Sequence, residues 1–128
     1  MSSGSCLCGA VKYQIDGRLG RTYYCHCSRC RKTSGSAFAA NAVISPAQFG
    51  VVEGEHLLAS FTSSNGAIRT FCSRCGSPLV VRLGDQMRLR LGSLDTPINT
   101  SVGMHIFVAS KADGHRIIDD LPQYDERP

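Results

Sequence analysis

Hydrophobic and polar positions alternate along most of this chain in short runs, which predicts strands. In VKYQID, residues 11–16, Val11, Tyr13 and Ile15 alternate with Lys12, Gln14 and Asp16. That period of two marks a strand with one covered face. RTYYC, residues 21–25, reads as a second strand, separated from the first by a turn from Gly17 to Gly20. SRCRKTSG predicts a turn or one helical turn stopped by Gly35, and SAFAANAVI a buried apolar strand. In SPAQFG, Ser45 precedes Pro46 in the order of a cap and first turn, which predicts a brief helical turn. Two hairpins follow: LLASFTSS and AIRTFC flank Asn65-Gly66, and PLVVRL and QMRLRL flank Gly84-Asp85. Within QMRLRL, Met87, Leu89 and Leu91 alternate with Arg88 and Arg90, which predicts a strand with one wet face. MHIFVAS is a further strand candidate. With no long amphipathic helix, repeat or low-complexity stretch, the pattern predicts a mainly β fold with residues 1–128 as a single domain.

Length and composition narrow the class. A chain of 128 residues is long enough to bury a modest core. No apolar run approaches the roughly 20 residues needed to cross a bilayer. MSSGSCLCGA lacks the basic and apolar regions of a secretory signal, so the expectation is a cytoplasmic protein without a membrane partner. The formal charge of +4 is mild and unevenly spread. Arg29, Arg31 and Lys32 crowd one cysteine cluster, whereas DDLPQYDE is acidic. A nucleic-acid partner is not expected, because such binders carry a basic stripe interleaved with stacking aromatics.

Seven cysteines change the picture most. An odd number cannot all pair within one chain, and a reducing compartment disfavours stable disulfides. They fall into three groups, Cys6-x-Cys8, Cys25-x-Cys27-x2-Cys30 and Cys72-x2-Cys75, and none stands alone. In an extended segment Cys6 and Cys8 point the same way. Cys72 and Cys75 have the spacing of a zinc knuckle, followed by Gly76 as Cys8 is followed by Gly9. Two plus two makes the four-thiolate set of a structural zinc, which would tie the amino-terminal strand to the second hairpin and close a long loop. A redox Cys-x2-Cys pair is the competing reading, although it wants a βαβ setting.

The middle group is left with three sulfurs. In CHC, His26 points away from Cys25 and Cys27 if the segment is extended, so it is expected to pack rather than to ligate. Three protein ligands and one further position describe a catalytic zinc. Thiols that are redox-active without metal remain the alternative. Arg29, Arg31 and Lys32 would offset the negative thiolate cluster or attract the carboxylates of an anionic substrate such as a small peptide, unless they are simply a solvated face.

These residues resemble the glutathione-dependent formaldehyde-activating family (the CENP-V/GFA domain). The resemblance runs in order through CLCGAVKYQ, CHCSRCRKTSGSAF, FCSRCGSPL, HIFVASKA and DDLPQYDE. It implies a zinc-stapled β-tent fold with two zinc ions. Cys6, Cys8, Cys72 and Cys75 correspond to ligands of the structural ion, and Cys25, Cys27 and Cys30 to those of a labile ion associated with activity. The implied activity is that of a carbon–sulfur lyase acting on thiol–aldehyde adducts such as S-hydroxymethylglutathione, the product of glutathione and formaldehyde. On that reading His105 is a candidate for proton transfer or substrate contact, since histidine is the side chain most used for such work. Asp119 and Asp120 are expected to cap a turn or contact a cation. The chain departs from the family pattern in having no tryptophan, and in carrying Asp113-Gly114 where members often have Pro-Trp. The alternative function is a non-catalytic, zinc-stabilised binding module of the same fold.

Overall fold

The computed structural model describes residues 1–98 and 100–128. Among them ten strands and one short helix follow in the order β1 Ser2–Ser5, β2 Lys12–Ile15, β3 Thr22–Cys25, α1 Ser28–Ser34, β4 Ala39–Ile44, β5 Phe49–Glu53, β6 Leu58–Thr62, β7 Ile68–Cys72, β8 Pro78–Leu83, β9 Gln86–Arg90 and β10 His105–Ile106. The architecture is mainly β, as the alternation requires. A three-stranded sheet has the order β1-β2-β5, and a seven-stranded sheet the order β10-β3-β4-β9-β8-β7-β6. All neighbouring pairs are antiparallel except β10 with β3, where His105 lies opposite Tyr24 and Ile106 opposite Cys25.

The main core lies where the two sheets meet. Val11, Tyr13 and Ile15, from the alternating VKYQID run, are fully covered and pack with Ile44, Leu79, Val80, Met87 and Leu89 of the large sheet. Cys6 and Cys72 belong to the same cluster, so one thiolate group grows directly out of the core. A smaller cluster of Tyr23, Cys25, Cys30, Ala39 and Ile106 surrounds the other. SAFAANAVI is apolar for this reason: β4 is central and serves both clusters, with Ala39 in one and Ile44 in the other.

Both predicted hairpins form, with Leu58 to Thr62 pairing against Ile68 to Cys72 and Val80 to Leu83 against Gln86 to Leu89. The knuckle lies between them, closed by the Gly76 amide on the Cys72 carbonyl at 2.7 Å and the Cys72 amide on the Ser77 carbonyl at 3.1 Å. Pro46–Gln48 forms the expected brief turn, as a 3-10 helix with reciprocal bonds between Ser45 and Gln48.

Several expectations need correction. The arginine face of β9 is not wet: Arg90 is only 6% exposed, and Arg88 is half-buried. That face is the wall of a cleft, where polar neighbours pair with some of the guanidinium nitrogens. MHIFVAS gives a strand of only two residues, because Phe107 takes a left-handed conformation (φ 57°) that turns the chain out of the sheet. SRCRKTSG forms a helix of seven residues, longer than one turn, and ends where Gly35 adopts φ 64° and its amide bonds the Arg31 carbonyl. β1 and β5 were not anticipated, since SSGS and FGVVE have little apolar alternation of their own.

Candidate functional site

The two thiolate groups sit at opposite ends of the logic of the fold. In the first, Cys6 follows β1, Cys72 ends β7, and Cys8 and Cys75 lie on the adjoining turns. All four Sγ atoms lie within 4.8 Å of one another. Tetrahedral zinc with bonds of about 2.3 Å holds its sulfurs about 3.8 Å apart. The Cys6–Cys8 and Cys8–Cys72 separations of 3.5 and 3.9 Å bracket that value, so this donor set fits such an ion. Backbone and hydroxyl groups converge on the sulfurs. The Val11 amide donates to Cys6 Sγ at 3.3 Å, and Ser77 Oγ lies 3.2 Å from Cys75 Sγ. The Ser77 hydroxyl, followed by backbone amides, holds the Cys75 thiol down at about 5. The Leu7 amide donates to Ser77 Oγ at 2.9 Å, which joins the two halves of the group directly.

The second group is built at a strand-to-helix transition. Cys25 is the last residue of β3, Cys27 is the N-cap of α1, and Cys30 lies in its first turn. Their Sγ atoms also lie within 4.8 Å of one another. Cys27 uses sulfur where a helix commonly places serine or aspartate, and its Sγ accepts from the Cys30 amide at 3.4 Å. Hydrogen bonds from the Cys25 and Cys30 thiols, and then the amides of Cys30 and Arg29, pull the Cys27 thiol far down, to about 2. Three soft donors, one readily a thiolate, suit zinc better than an oxygen-seeking cation.

His26 turns away from the sulfurs, as extended geometry requires, and is fully buried. Its Nε2 lies 2.8 Å from His105 Nδ1, and His105 Nε2 lies 3.0 and 3.1 Å from the two Asp119 oxygens. An ionised carboxylate only accepts, so His105 donates from Nε2 to Asp119 and accepts at Nδ1 from His26. Burial then leaves His26 Nδ1 without a partner and holds this ring's proton affinity down, to about 4. Asp119 also accepts from the Leu121 amide at 3.0 Å, the turn cap expected of it, whereas Asp120 is simply exposed.

All three cysteines of the second group line a cleft of about 500 Å³. Of the cations placed near them by sequence, Arg29 lines this cleft, and its Nη2 donates to Ser64 Oγ at 3.2 Å. Arg31 and Lys32 do not. They line a separate depression with Ser36 and His115. His105, at 2% exposure, is likewise outside the cleft, with both ring nitrogens engaged. Sequence reasoning missed Arg88 and Arg90, although their alternation in QMRLRL placed them on one face. Arg90 Nη1 donates to Asn41 Oδ1 at 3.0 Å and lies 3.9 Å from Cys30 Sγ, while Nη2 donates to Thr33 Oγ1 at 3.1 Å. Arg88 Nε donates to the Tyr23 hydroxyl at 2.7 Å.

Comparison with known proteins bears on this arrangement. The sequence profile of a family described as "Glutathione-dependent formaldehyde-activating enzyme" matches residues 1–110, which include both cysteine groups. The chain belongs to that family. A solved crystal structure of a Rhodobacter sphaeroides protein is similar in fold, with a TM-score of 0.64 and 23% identity. The match covers 76% of the family member described here and 91% of that protein. The family is associated with thiol-dependent formaldehyde activation, which gives a cleft floored by three convergent cysteines a chemical context. No helix of the described residues is long and apolar enough to cross a membrane.

Proposed function

We propose that this protein is a two-zinc enzyme of the carbon–sulfur lyase type that joins a small thiol to an aldehyde and reverses that addition, with glutathione and formaldehyde as the pair its family suggests. The observation that carries this reading is the convergence of Cys25, Cys27 and Cys30 on the floor of a sizeable cleft, with one protein ligand fewer than the core-anchored group. A zinc ion bound by the three thiolates supplies the Lewis acidity that makes a thiol nucleophilic at neutral pH.

The chain's own residues do the rest. Guanidiniums along the cleft hold the acidic groups of the substrate and aim its sulfur at the carbonyl carbon. In the addition one C–S bond forms, the carbonyl π pair moves to oxygen, and the thiol proton ends on that oxygen. The reverse step restores both reactants without any redox change. Arg90, close to Cys30 Sγ, offsets the negative charge of the thiolate cluster. His105 acts at one remove, as a positioning residue. It holds His26, and thereby the Cys25–Cys27 segment, in one orientation. The reading places the protein in the reducing cytoplasm, where both cysteine groups stay reduced and able to hold metal.

The test is Cys27→Ser. We expect thiol–aldehyde addition to fall at least 100-fold while the circular dichroism spectrum and thermal midpoint stay close to wild type. Unchanged turnover in a folded variant would refute the reading.

A further inference from the structure

The cleft that receives the three sulfurs is unusually one-sided in charge. Arg21, Arg29, Arg69, Arg88, Arg90 and Arg127 line it, and no Asp or Glu does. The one acid–base contact short enough to count as an ion pair among the described residues, His105 with Asp119, lies outside it. Six guanidiniums around one space repel each other unless an anion lies between them. Two are also incompletely satisfied: Arg88 Nη1 and Arg90 Nε are buried without a hydrogen-bond partner, and Arg90 as a whole is only 6% exposed. Buried donors of this kind normally have acceptors.

Register places the charge relative to the sulfurs. Val43 of β4 pairs with Arg88 of β9, Arg88 with Val81 of β8, and Val81 with Arg69 of β7. One cross-strand row therefore carries two arginines separated and flanked by valines, on a face that also bears Arg90, which is paired with Asn41. β3, which ends in Cys25, lies two strands from β9. The side chains reach back across that spacing: Arg90 Nη1 lies 3.9 Å from Cys30 Sγ, and Arg88 Nε donates to the Tyr23 hydroxyl of β3 at 2.7 Å. The cleft thus sets guanidinium forks beside the sulfurs and along a row interrupted by valines.

We infer that this cleft, read as the thiol site proposed above, selects thiols that carry two negative oxyanion charges and no ammonium group. Glutathione is a poor match in one respect. Its two carboxylates suit the arginines, but its ammonium enters a space with six guanidiniums and no Asp or Glu side chain to receive it. A phosphate monoester, or a carboxylate pair on a blocked amine, takes the attraction without that penalty. Both present the same bidentate oxygens to guanidinium.

Calorimetric titration of the zinc-loaded protein, without aldehyde, separates these cases with two matched pairs. N-acetylglutathione against glutathione isolates the ammonium, and 4′-phosphopantetheine against pantetheine isolates the phosphate. We expect each dianionic thiol to bind at least tenfold more tightly than its partner, with the gain shrinking steeply as salt rises from 50 to 500 mM. A gain in one pair alone supports the inference and shows whether carboxylates or phosphate supply the charge. Arg88→Gln should reduce the gain below threefold and leave pantetheine binding unaltered. Arg69→Gln serves the same purpose should Arg88→Gln fail to fold. Equal affinities within both pairs, or a gain that survives in a folded Arg88→Gln or Arg69→Gln protein, would overturn the inference. Because no turnover is measured, tight dianion binding with no thiol–aldehyde addition would refute only the proposed activity.

Discussion

Cys27 performs two tasks with one atom. It closes the first turn of α1 and supplies one of three converging sulfurs, so serine at this position keeps a competent cap while removing a soft ligand. That is why Cys27→Ser is expected to separate chemistry from folding better than substitution of buried Cys25 or Cys30. Asp119 offers a test at the same scale. The hydrogen bond from His105 lowers this carboxyl below its ordinary value of 3.8. The unfolded chain therefore takes up this proton before the native one does, and the stabilisation is complete above the unfolded value and lost as pH falls through the native one. In urea unfolding followed across pH, Asp119→Asn should be less stable than wild type by a constant margin above about pH 5, and the margin should close below about 4. A margin that stays constant down to acid denaturation would show that the Asp119 charge contributes nothing. Little of this was legible in sequence. HCS and HIF each show one histidine, but the 79 positions separating His26 from His105 hide their contact.

At the scale of elements, the best-read parts were those whose own residues specify them. Asn65-Gly66 and Gly84-Asp85 supplied turns between alternating runs, and both hairpins formed around them. Ser2–Ser5 was invisible because its covering comes from elsewhere. Gly4 presses against the ring of Tyr13, so a Cβ there would overlap the Tyr13 hydroxyl and the Ser93 carbonyl. Gly4→Ala should lower stability by about 1–3 kcal/mol, readable as a drop in the urea midpoint without a change in slope. No measurable drop would mean that β1 moves aside freely. The arginine alternation of β9 was read correctly as a face and wrongly as solvent. Period alone distinguishes the two faces of a strand, and only tertiary packing decides what lies against each.

Across the whole molecule, the division of labour follows from where each thiolate group sits. Cys6 and Cys72 belong to the core formed where the two sheets meet, and their group brings residues 6 and 75 together. A metal there stabilises the native state in proportion to its affinity. Cys25, Cys27 and Cys30 are linked only across a strand end and one helical turn, and they face a cleft. Spacing made both groups legible, because metal ligands must converge and short cysteine intervals are a local signature of convergence. The cleft was not legible. Its walls come from β3, β4, β7, β8 and β9, brought together by sheet order that no single segment encodes.

The most direct measurement is zinc per chain in purified wild type and Cys27→Ser, read alongside the thermal midpoint. Two independent thiolate sites predict a fall from two ions to one, with the midpoint nearly unchanged. Loss of both ions with unfolding, or retention of both, would contradict the separation of a core-anchoring site from a reactive one.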